Sequence, residues 1–231
     1  MPLSHFWVTR RRPGVREITR PDDPPPGTRL APAPTDRHTG AVDPAPGGRA
    51  PTILTVCTGN ICRSPAVERL LAHALPEANV VSAGVRAVVG GPVHPPMATL
   101  LAGAGVSVDG FAAQQLTADV VARADLVLAL TRGHRAAIVD LVPAAVRRTF
   151  TLRELARYAT AVGPDALPHG TLAERLEALL PLAAAQRGRV RIDPREDDVV
   201  DPYGGNDRLY ALSFDQLRPA VDAIAEVLRP R

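Results

Sequence analysis

The sequence predicts an α/β fold, a doubly wound four-stranded parallel sheet flanked by helices. Short apolar runs rich in β-branched residues alternate along the chain with segments of helical periodicity. Such alternation favours parallel strands joined by right-handed crossovers. The first apolar run leads directly into a loop of small and polar residues, and the carboxyl ends of strands are where sheets of this class bind ligands.

Four apolar runs are the predicted strands. The first is Thr52–Val56, and the second is Val80–Ser82, which Ala83-Gly84 terminates. The third, Leu126–Leu130, reads as a strand buried on both faces, and Arg148–Thr151 is the fourth.

Helical periodicity fills the stretches between and after these runs. One helix is expected to pass through Leu70, Leu71 and Leu75, and another follows Pro95-Pro96 through Met97, Leu100 and Leu101. Further helical patterns lie at about 117–123, 133–141, 152–160, 171–186 and 208–229.

Residues 1–50 are rich in proline and arginine and lack apolar periodicity, so we expect a disordered extension ahead of a single domain at 51–231. The cluster Arg10, Arg11, Arg12 resembles the start of a twin-arginine signal, but the apolar stretch that such a signal requires is missing. We therefore interpret the extension as a solvated tail or as the result of a start codon assigned too far upstream.

Charge and cysteine content exclude several function classes. The net charge of +3 belongs to residues 1–50, which hold eight Arg and five Asp or Glu, because residues 51–231 hold nineteen of each. No nucleic-acid surface is therefore predicted for the domain. No apolar run approaches the ~20 residues that span a bilayer. Cys57 and Cys62 are too few for a structural zinc site and too close to link distant parts of a secreted fold, which favours a cytoplasmic protein.

The loop CTGNICRSP carries the predicted chemistry. It begins at a strand end, contains Gly59 and Asn60, which tolerate left-handed backbone, and runs into Pro65 at the first turn of a helix. Such a loop can direct successive backbone N–H groups inward, while the helix N-terminus adds positive charge. The pattern predicts a cradle for a phosphate dianion.

Within this loop we expect Cys57 to be a thiolate nucleophile and Arg63 to bind two phosphate oxygens through its planar guanidinium. Ser64 can donate its hydroxyl to the sulfur. The alternative, a small buried cysteine in a connecting loop, explains neither the Gly59-Asn60 pair nor the arginine. For Cys62 two interpretations stay open, ordinary packing or capture of an oxidised Cys57 as a disulfide.

A carboxyl group must protonate the leaving oxygen and later activate water, and Asp201 in DDVVDPYGG is the best candidate. Asp201-Pro202 forms a stiff turn, and Tyr203 offers an aromatic face. Asp193-Pro194 is the competitor, although no aromatic residue follows it. Asp197 and Asp198 are expected to form a solvated acidic run.

VCTGNICRSP followed far downstream by DPYG resembles the low-molecular-weight protein-tyrosine phosphatases in their bacterial form. The resemblance runs from about Ile53 to the C-terminus and includes SAG at 82–84, QLT at 115–117, ADLVLALTRGHR at 124–135 and RRTFTLRELAR at 147–157. It implies hydrolysis of phosphotyrosine in proteins through a cysteinyl-phosphate intermediate, without a metal or organic cofactor. It also implies that Asn60 and Ser82 hold the loop through hydrogen bonds, with Glu68 behind them.

The predicted catalytic residues are Cys57, Arg63 and Asp201. The predicted substrate-binding residues are Thr58, Gly59, Asn60, Ile61, Cys62, Ser64 and Tyr203. Two positions in the domain depart from the family pattern: Phe111 stands where members commonly carry a histidine tied to the loop, and Val85–Gly91 lacks the aromatic residue that eukaryotic members place on the pocket wall.

Two rival functions remain at this stage. An arsenate reductase could use the same loop, but with only two cysteines it would depend on an external thiol. A phosphotyrosine-binding module would not need the complete set of Cys57, Arg63 and Asp201. The sequence fixes neither the physiological substrate nor the oligomeric state.

Overall fold

The computed structural model describes residues 49–189 and 193–230. The predicted extension, residues 1–50, lies outside these residues except for Arg49 and Ala50, so its disorder stays a prediction.

The sheet has four parallel strands in the order β2-β1-β3-β4, which confirms the predicted fold class. The strands are β1 (Thr52–Cys57), β2 (Asn79–Gly84), β3 (Leu126–Ala129) and β4 (Thr149–Thr151). In the register of the sheet, Thr55 of β1 lies beside Ser82 of β2 and Leu128 of β3.

The strand order creates a switch point next to β1. From β1 the chain passes to β2 on one side, and it then returns to place β3 on the other side. Connections leave the carboxyl ends of β1 and β3 in opposite directions at such a point, and the space between them is where open α/β sheets bind ligands. The loop that follows Cys57 lies at this position.

Helices connect and flank the strands, close to their predicted positions. Their bounds are α1 (Arg63–Ala74), α2 (Pro95–Gly103), α3 (Ala118–Ala122), α4 (Arg132–Leu141), α5 (Leu152–Val162), α6 (Leu172–Ala184) and α7 (Asp207–Leu228). Short 3₁₀ turns occupy Pro143–Arg148, Pro164–Ala166 and Pro194–Asp197. Within the part of the chain that the structure describes, no helix combines the length and apolarity needed to cross a bilayer.

Successive strand residues point to opposite faces of the sheet, so β1 contributes to two cores. Ile53 belongs to the larger core, with residues of α1, α2, α5, α6 and α7, whereas Leu54 packs with α3 and α4 on the other face. Both side chains are fully buried, which stabilises the fold by about 1.5–3 kcal/mol for each. The central position of β1 therefore anchors the start of the Cys57 loop.

The long connection between α5 and α7 is held by a buried arginine. Arg175 of α6 donates hydrogen bonds to the backbone carbonyls of Pro168 at 2.7 Å, Pro164 at 3.1 Å and Val227 at 2.8 Å. Val227 lies in the last turn of α7, where the helix dipole favours a cation. Arg175 therefore fixes α6 against the C-terminal end of α7.

Candidate active site

The Cys57 loop, residues 57–63, joins the end of β1 to the start of α1. Asn60 adopts φ of 56°, and among the described residues it is the one non-glycine residue with positive φ. An asparagine tolerates this left-handed conformation better than most residues do. The turn at Asn60 curls the loop, as the sequence predicted.

A neighbouring stretch, the rim segment (residues 85–91), binds the outer side of this loop. The N–H groups of Val85, Arg86 and Val88 donate to the carbonyls of Cys57, Thr58 and Gly59, at 3.0, 2.9 and 2.9 Å. Gly84 permits this approach, since a Cβ at that position would lie 2.5 Å from the carbonyl oxygen of Thr58.

The inner side of the loop presents unused donors. Within the described ranges, the backbone N–H groups of residues 58–62 have no hydrogen-bond acceptor, although Asn60, Ile61 and Cys62 are buried. Buried N–H groups without a partner are rare in native proteins, and clustered ones form anion-binding concavities. This part of the loop can accept the oxygens of a phosphate.

Arg63 adds a cation to the same site. Its side chain is only 4% exposed, and its guanidinium donates to the carbonyl of Val199 at 3.3 Å and forms an ion pair with Asp201. Its Nε is buried and has no partner in the described part of the chain. A free N–H of a guanidinium next to the loop donors suits an anionic ligand.

A chain of hydrogen bonds beneath the loop leaves the hydroxyl group next to Cys57 able to donate to its sulfur. The Asn60 amide donates to Ser64 Oγ at 2.9 Å and to Ser82 Oγ at 2.7 Å, and Ser82 donates to Glu68. Because Ser64 Oγ accepts a hydrogen bond from Asn60, its own hydrogen is free to point at Cys57 Sγ, 3.0 Å away. The contacts expected for Asn60, Ser82 and Glu68 are present. Burial, partly offset by the Ser82 hydrogen bond, raises the pKa of Glu68.

The network is formed without the histidine that the family resemblance leads us to expect at the position of Phe111. The side-chain oxygen of Asn60 accepts a hydrogen bond from the backbone N–H of Gln114 at 2.8 Å. The Gln114 side chain in turn donates to the Ser82 carbonyl at 2.8 Å. Phe111 instead packs against the core, with the Arg69 guanidinium carbon 5.7 Å from its ring centroid. Gln114 therefore helps to hold the loop, and no local sequence pattern had pointed to it.

A cavity of about 210 Å³ opens above the loop. Its lining residues are Cys57, Thr58, Gly59, Ile61, Cys62, Arg63, Arg86, Val88, Asp201 and Tyr203. The predicted residues Asn60 and Ser64 do not line it, because they are fully buried and support the loop from below. Larger cavities of about 460 and 540 Å³ lie around Arg49 and Asp125 and include neither cysteine.

The two candidate acids occupy different places. Asp201 lines the cavity, its carboxylate is about half exposed, and it accepts a hydrogen bond from the Tyr203 N–H at 3.2 Å. Asp193 is absent from the residues lining the cavity, and its side chain caps a 3₁₀ turn by accepting from the Arg195 N–H at 2.8 Å. The geometry favours Asp201 over Asp193.

The expectation that Asp197 and Asp198 form a solvated acidic run is wrong. Asp197 forms an ion pair with Arg157 of α5, and Asp198 forms one with Arg132 at the start of α4. Arginines on two neighbouring helices therefore pair with these carboxylates. The sequence does not reveal these pairs, because each arginine is far from its aspartate along the chain. Both pairs anchor the stretch that leads to Asp201.

His134 is a site residue that the sequence analysis did not identify. It is 7% exposed, and its ring lies between Thr58 Oγ1 at 2.9 Å and Thr131 Oγ1 at 3.0 Å. Burial, reinforced by the positive charge of Arg63, lowers the pKa of His134 to about 4. A neutral imidazole therefore links the Cys57 loop to the N-cap of α4. The Thr-x-x-His spacing of Thr131 and His134 after the third strand is the sequence pattern that could have indicated this contact.

Cys62 has a different environment from that of the predicted nucleophile. Its Sγ lies 3.8 Å from Tyr210 Oη, which in turn is 2.8 Å from His94 Nδ1. Burial raises the pKa of Cys62 to about 11, although the Tyr210 contact acts in the opposite direction. Cys57 and Cys62 are both free and buried. Because of its raised pKa, Cys62 is a protonated thiol at neutral pH.

Comparison with known proteins identifies relatives of this site. Residues 52–167 match the family model of the low molecular weight phosphotyrosine protein phosphatases, which covers half of the chain. A protein of Ralstonia nicotianae named "Probable low molecular weight protein-tyrosine-phosphatase EpsP" is 40% identical over 107 residues, 46% of this chain and 74% of that protein.

Two further relatives extend over more of the chain. A protein-arginine-phosphatase of Geobacillus stearothermophilus is 30% identical over 178 residues, 77% of this chain and 95% of that protein. The crystal structure of the tyrosine phosphatase amsI of Erwinia amylovora superimposes with a TM-score of 0.56 at 27% identity, covering 78% of this chain and 93% of that one.

Proposed function

Because the chain belongs to the family of low molecular weight phosphotyrosine protein phosphatases, we propose that it hydrolyses phosphotyrosine in proteins through a cysteinyl-phosphate intermediate. The observation that carries this proposal is the convergence on one cavity of the Cys57 thiol, the free N–H groups of the loop and the unpartnered Nε of Arg63. A nucleophile surrounded by donors suited to phosphate oxygens is the arrangement that phosphoryl transfer needs.

In the first step, the Cys57 thiolate attacks phosphorus. The sulfur–phosphorus bond forms as the bond from phosphorus to the tyrosine oxygen breaks. The loop N–H groups and Arg63 stabilise the charge on the three oxygens that stay with phosphorus. Asp201, which lines the same cavity, gives a proton to the departing tyrosine oxygen from its protonated form, in which it no longer pairs with Arg63 as a carboxylate.

In the second step, water hydrolyses the intermediate. Asp201, now a carboxylate, takes a proton from the water as its oxygen attacks phosphorus. The sulfur leaves with the electron pair of the sulfur–phosphorus bond. The Ser64 hydroxyl, 3.0 Å from Cys57 Sγ, stabilises that developing thiolate by donating a hydrogen bond to it. The proposed chemistry needs no metal or organic cofactor, and we place it in the cytoplasm, where thiols stay reduced.

The walls of the cavity support an aromatic substrate. Ile61, Val88 and Tyr203 line it beyond the reacting atoms, and these are apolar or aromatic side chains that can contact a phenyl ring. Tyr203 supplies the one aromatic face among the described lining residues, as the sequence led us to expect. Proteins that carry phosphotyrosine are therefore the proposed partners.

Phosphoarginine is the second candidate substrate, because the relative aligned over 178 residues is named a protein-arginine-phosphatase. Its leaving group is a guanidine, which would carry positive charge near Arg86 at the cavity wall. Two positive charges at short range repel each other, and the side chains of Ile61 and Val88 would place an apolar surface against the guanidine. These features favour phosphotyrosine.

The deciding experiment is steady-state hydrolysis of matched peptides that carry phosphotyrosine, phosphoserine, phosphothreonine or phosphoarginine. We expect the highest kcat/KM for phosphotyrosine. A higher kcat/KM for phosphoarginine would establish the second candidate instead, and the absence of turnover with every peptide would refute a phosphatase function. Arsenate reduction with a small thiol, measured in parallel, tests the rival function of an arsenate reductase.

A further inference from the structure

Arg86 lies in the rim segment, and its backbone is fixed relative to the Cys57 loop. Its N–H donates to the Thr58 carbonyl at 2.9 Å, and the flanking bonds from Val85 and Val88 hold the residues on both sides. The start of the Arg86 side chain is therefore placed as rigidly as the loop itself. This position is at the wall of the cavity that contains Cys57.

The Arg86 side chain is exposed and has no polar partner. Its guanidinium makes no hydrogen bond or ion pair with any residue of 49–189 or 193–230. Other arginines near the site differ, since Arg63 pairs with Asp201, Arg132 with Asp198 and Arg157 with Asp197. Arg86 is a cation at the cavity mouth that nothing in the described chain neutralises.

The charges that face Arg86 across the cavity do not provide a partner either. Asp201 is the one carboxylate among the described lining residues, and Arg63 already binds it. The other exposed large side chains that line this cavity are Val88 and Tyr203, with 51% and 64% of their surfaces accessible. An apolar rim with one free guanidinium suits a peptide that carries a negative charge beside its aromatic residue.

We propose that Arg86 recognises an anionic group on a residue flanking the phosphotyrosine of the substrate protein. The reacting phosphate occupies the loop, where Arg63 already supplies a guanidinium, so Arg86 is left to contact a neighbouring side chain. A guanidinium binds a carboxylate or a phosphate through two parallel hydrogen bonds, and either group satisfies this site. The proposal rests on the proposed function and defines its preferred substrate class.

The experiment compares three phosphotyrosine peptides of one length, with neutral flanks, with aspartate or glutamate flanks, and with a phosphoserine as flank. The readout is the ratio of kcat/KM for each anionic peptide to that for the neutral peptide, measured in each variant. In the wild type we expect ratios of about 2–5, the value of an exposed ion pair. Arg86→Gln should bring them to about 1, Arg86→Glu should invert them, and about 0.5 M NaCl should weaken the wild-type preference.

Arg123→Gln is the matched control, because Arg123 is an exposed arginine that precedes β3, near the amino-terminal ends of the strands and away from the Cys57 loop at their carboxyl ends. It should keep the wild-type ratios. Ratios near 1 in the wild type, or ratios that survive Arg86→Gln, would overturn the proposal, and so would an equal loss for all peptides. A preference for only the carboxylate peptide or only the phosphate peptide supports the proposal and identifies which anionic group Arg86 recognises. Failure to hydrolyse any of the peptides would instead refute the proposed function, so the two failures are distinguishable.

Discussion

Arg132 holds Asp198 with both its backbone and its side chain. Its N–H donates to Asp198 Oδ1 at 2.7 Å, and its guanidinium donates to Oδ2 at 2.9 Å. Partial burial tends to raise the pKa of Asp198, but the bonds from Arg132 outweigh it and hold the pKa below its ordinary value. The next residue, Val199, donates to the carbonyl of Leu130, the residue directly after β3, at 2.9 Å, and its own carbonyl accepts from Arg63. The segment that carries Asp201 is therefore anchored to β3 and α4.

Asp198→Asn should weaken this anchor without removing the hydrogen-bond acceptor. If Arg132 positions the acid through Asp198, kcat should fall about tenfold for aryl phosphates with poor leaving groups, since misplacement of a catalytic group is costly. Acidic phenols, which leave without a proton, should be affected much less. Leaving-group dependence of kcat is the measurement.

Asp222→Asn is the control for that variant, because Asp222 forms an exposed ion pair with Arg218 within α7. It should leave both substrate classes unaffected. An equal loss for good and poor leaving groups in Asp198→Asn would show that the anchor does not act through the acid.

The neutral state of His134 predicts a pH-dependent stability. With a pKa of about 4 in the folded protein, His134 stays unprotonated where an unfolded histidine, near 6.5, gains a proton. Its contribution to stability is therefore fully present above about pH 6.5 and declines as the pH falls toward the folded value. Between about pH 7 and pH 4.5, wild type should lose about 2 kcal/mol more unfolding free energy than His134→Gln.

Denaturant unfolding of both proteins at these two pH values tests the expectation about His134. Glutamine does not titrate and can still reach Thr58 with its amide. Equal losses of unfolding free energy in the two proteins would mean that His134 is charged in the folded state.

The two cysteines should differ in reactivity. Because burial raises the pKa of Cys62 to about 11, its thiol is protonated at neutral pH and should resist alkylation in the folded protein. We expect iodoacetamide at about pH 7.5 to modify Cys57 first, and inorganic phosphate to protect it by occupying the loop. Peptide mass mapping locates the label, and denatured protein, in which both cysteines should react, is the control. Faster labelling of Cys62 would contradict the assignment.

Asp201→Asn should slow poorly activated aryl phosphates much more than those with an acidic phenol, by ~10²–10⁴-fold on phosphotyrosine itself. Asp193→Asn is the matched variant, since Asp193 caps a turn and does not line the cavity. Vanadate binding should survive in both. If only Asp193→Asn shows the selective loss, Asp193 is the acid, and the assignment of Asp201 is incorrect.

Local patterns were sufficient to predict most of the fold. The β-branched run at Thr52–Val56 and the buried run at Leu126–Leu130 are strands within one residue of these bounds, because a strand buried on both faces leaves a continuous apolar signal. The loop at Cys57 was also predictable, since its glycine, asparagine and proline each have a local conformational reason.

Contacts between distant residues could not be predicted in the same way. Arg132 and Asp198 are 66 positions apart, and only the placement of α4 beside the Asp201 segment brings their charges together. His134 likewise reaches Thr58 across the switch point of the sheet. Arg86 carried no local signal, because its position at the cavity depends on backbone bonds between the rim segment and the Cys57 loop.

The central claim, that Cys57 is the nucleophile, is tested most directly by the kcat of Cys57→Ser on an aryl phosphate. The hydroxyl keeps the loop and its anion site but removes the thiolate, so vanadate should still bind while turnover is lost. Cys62→Ser, which alters the neighbouring thiol by the same substitution, should retain measurable turnover. We predict a kcat for Cys57→Ser below about one hundredth of the wild-type value, and a kcat above that level would contradict a cysteinyl-phosphate mechanism at Cys57.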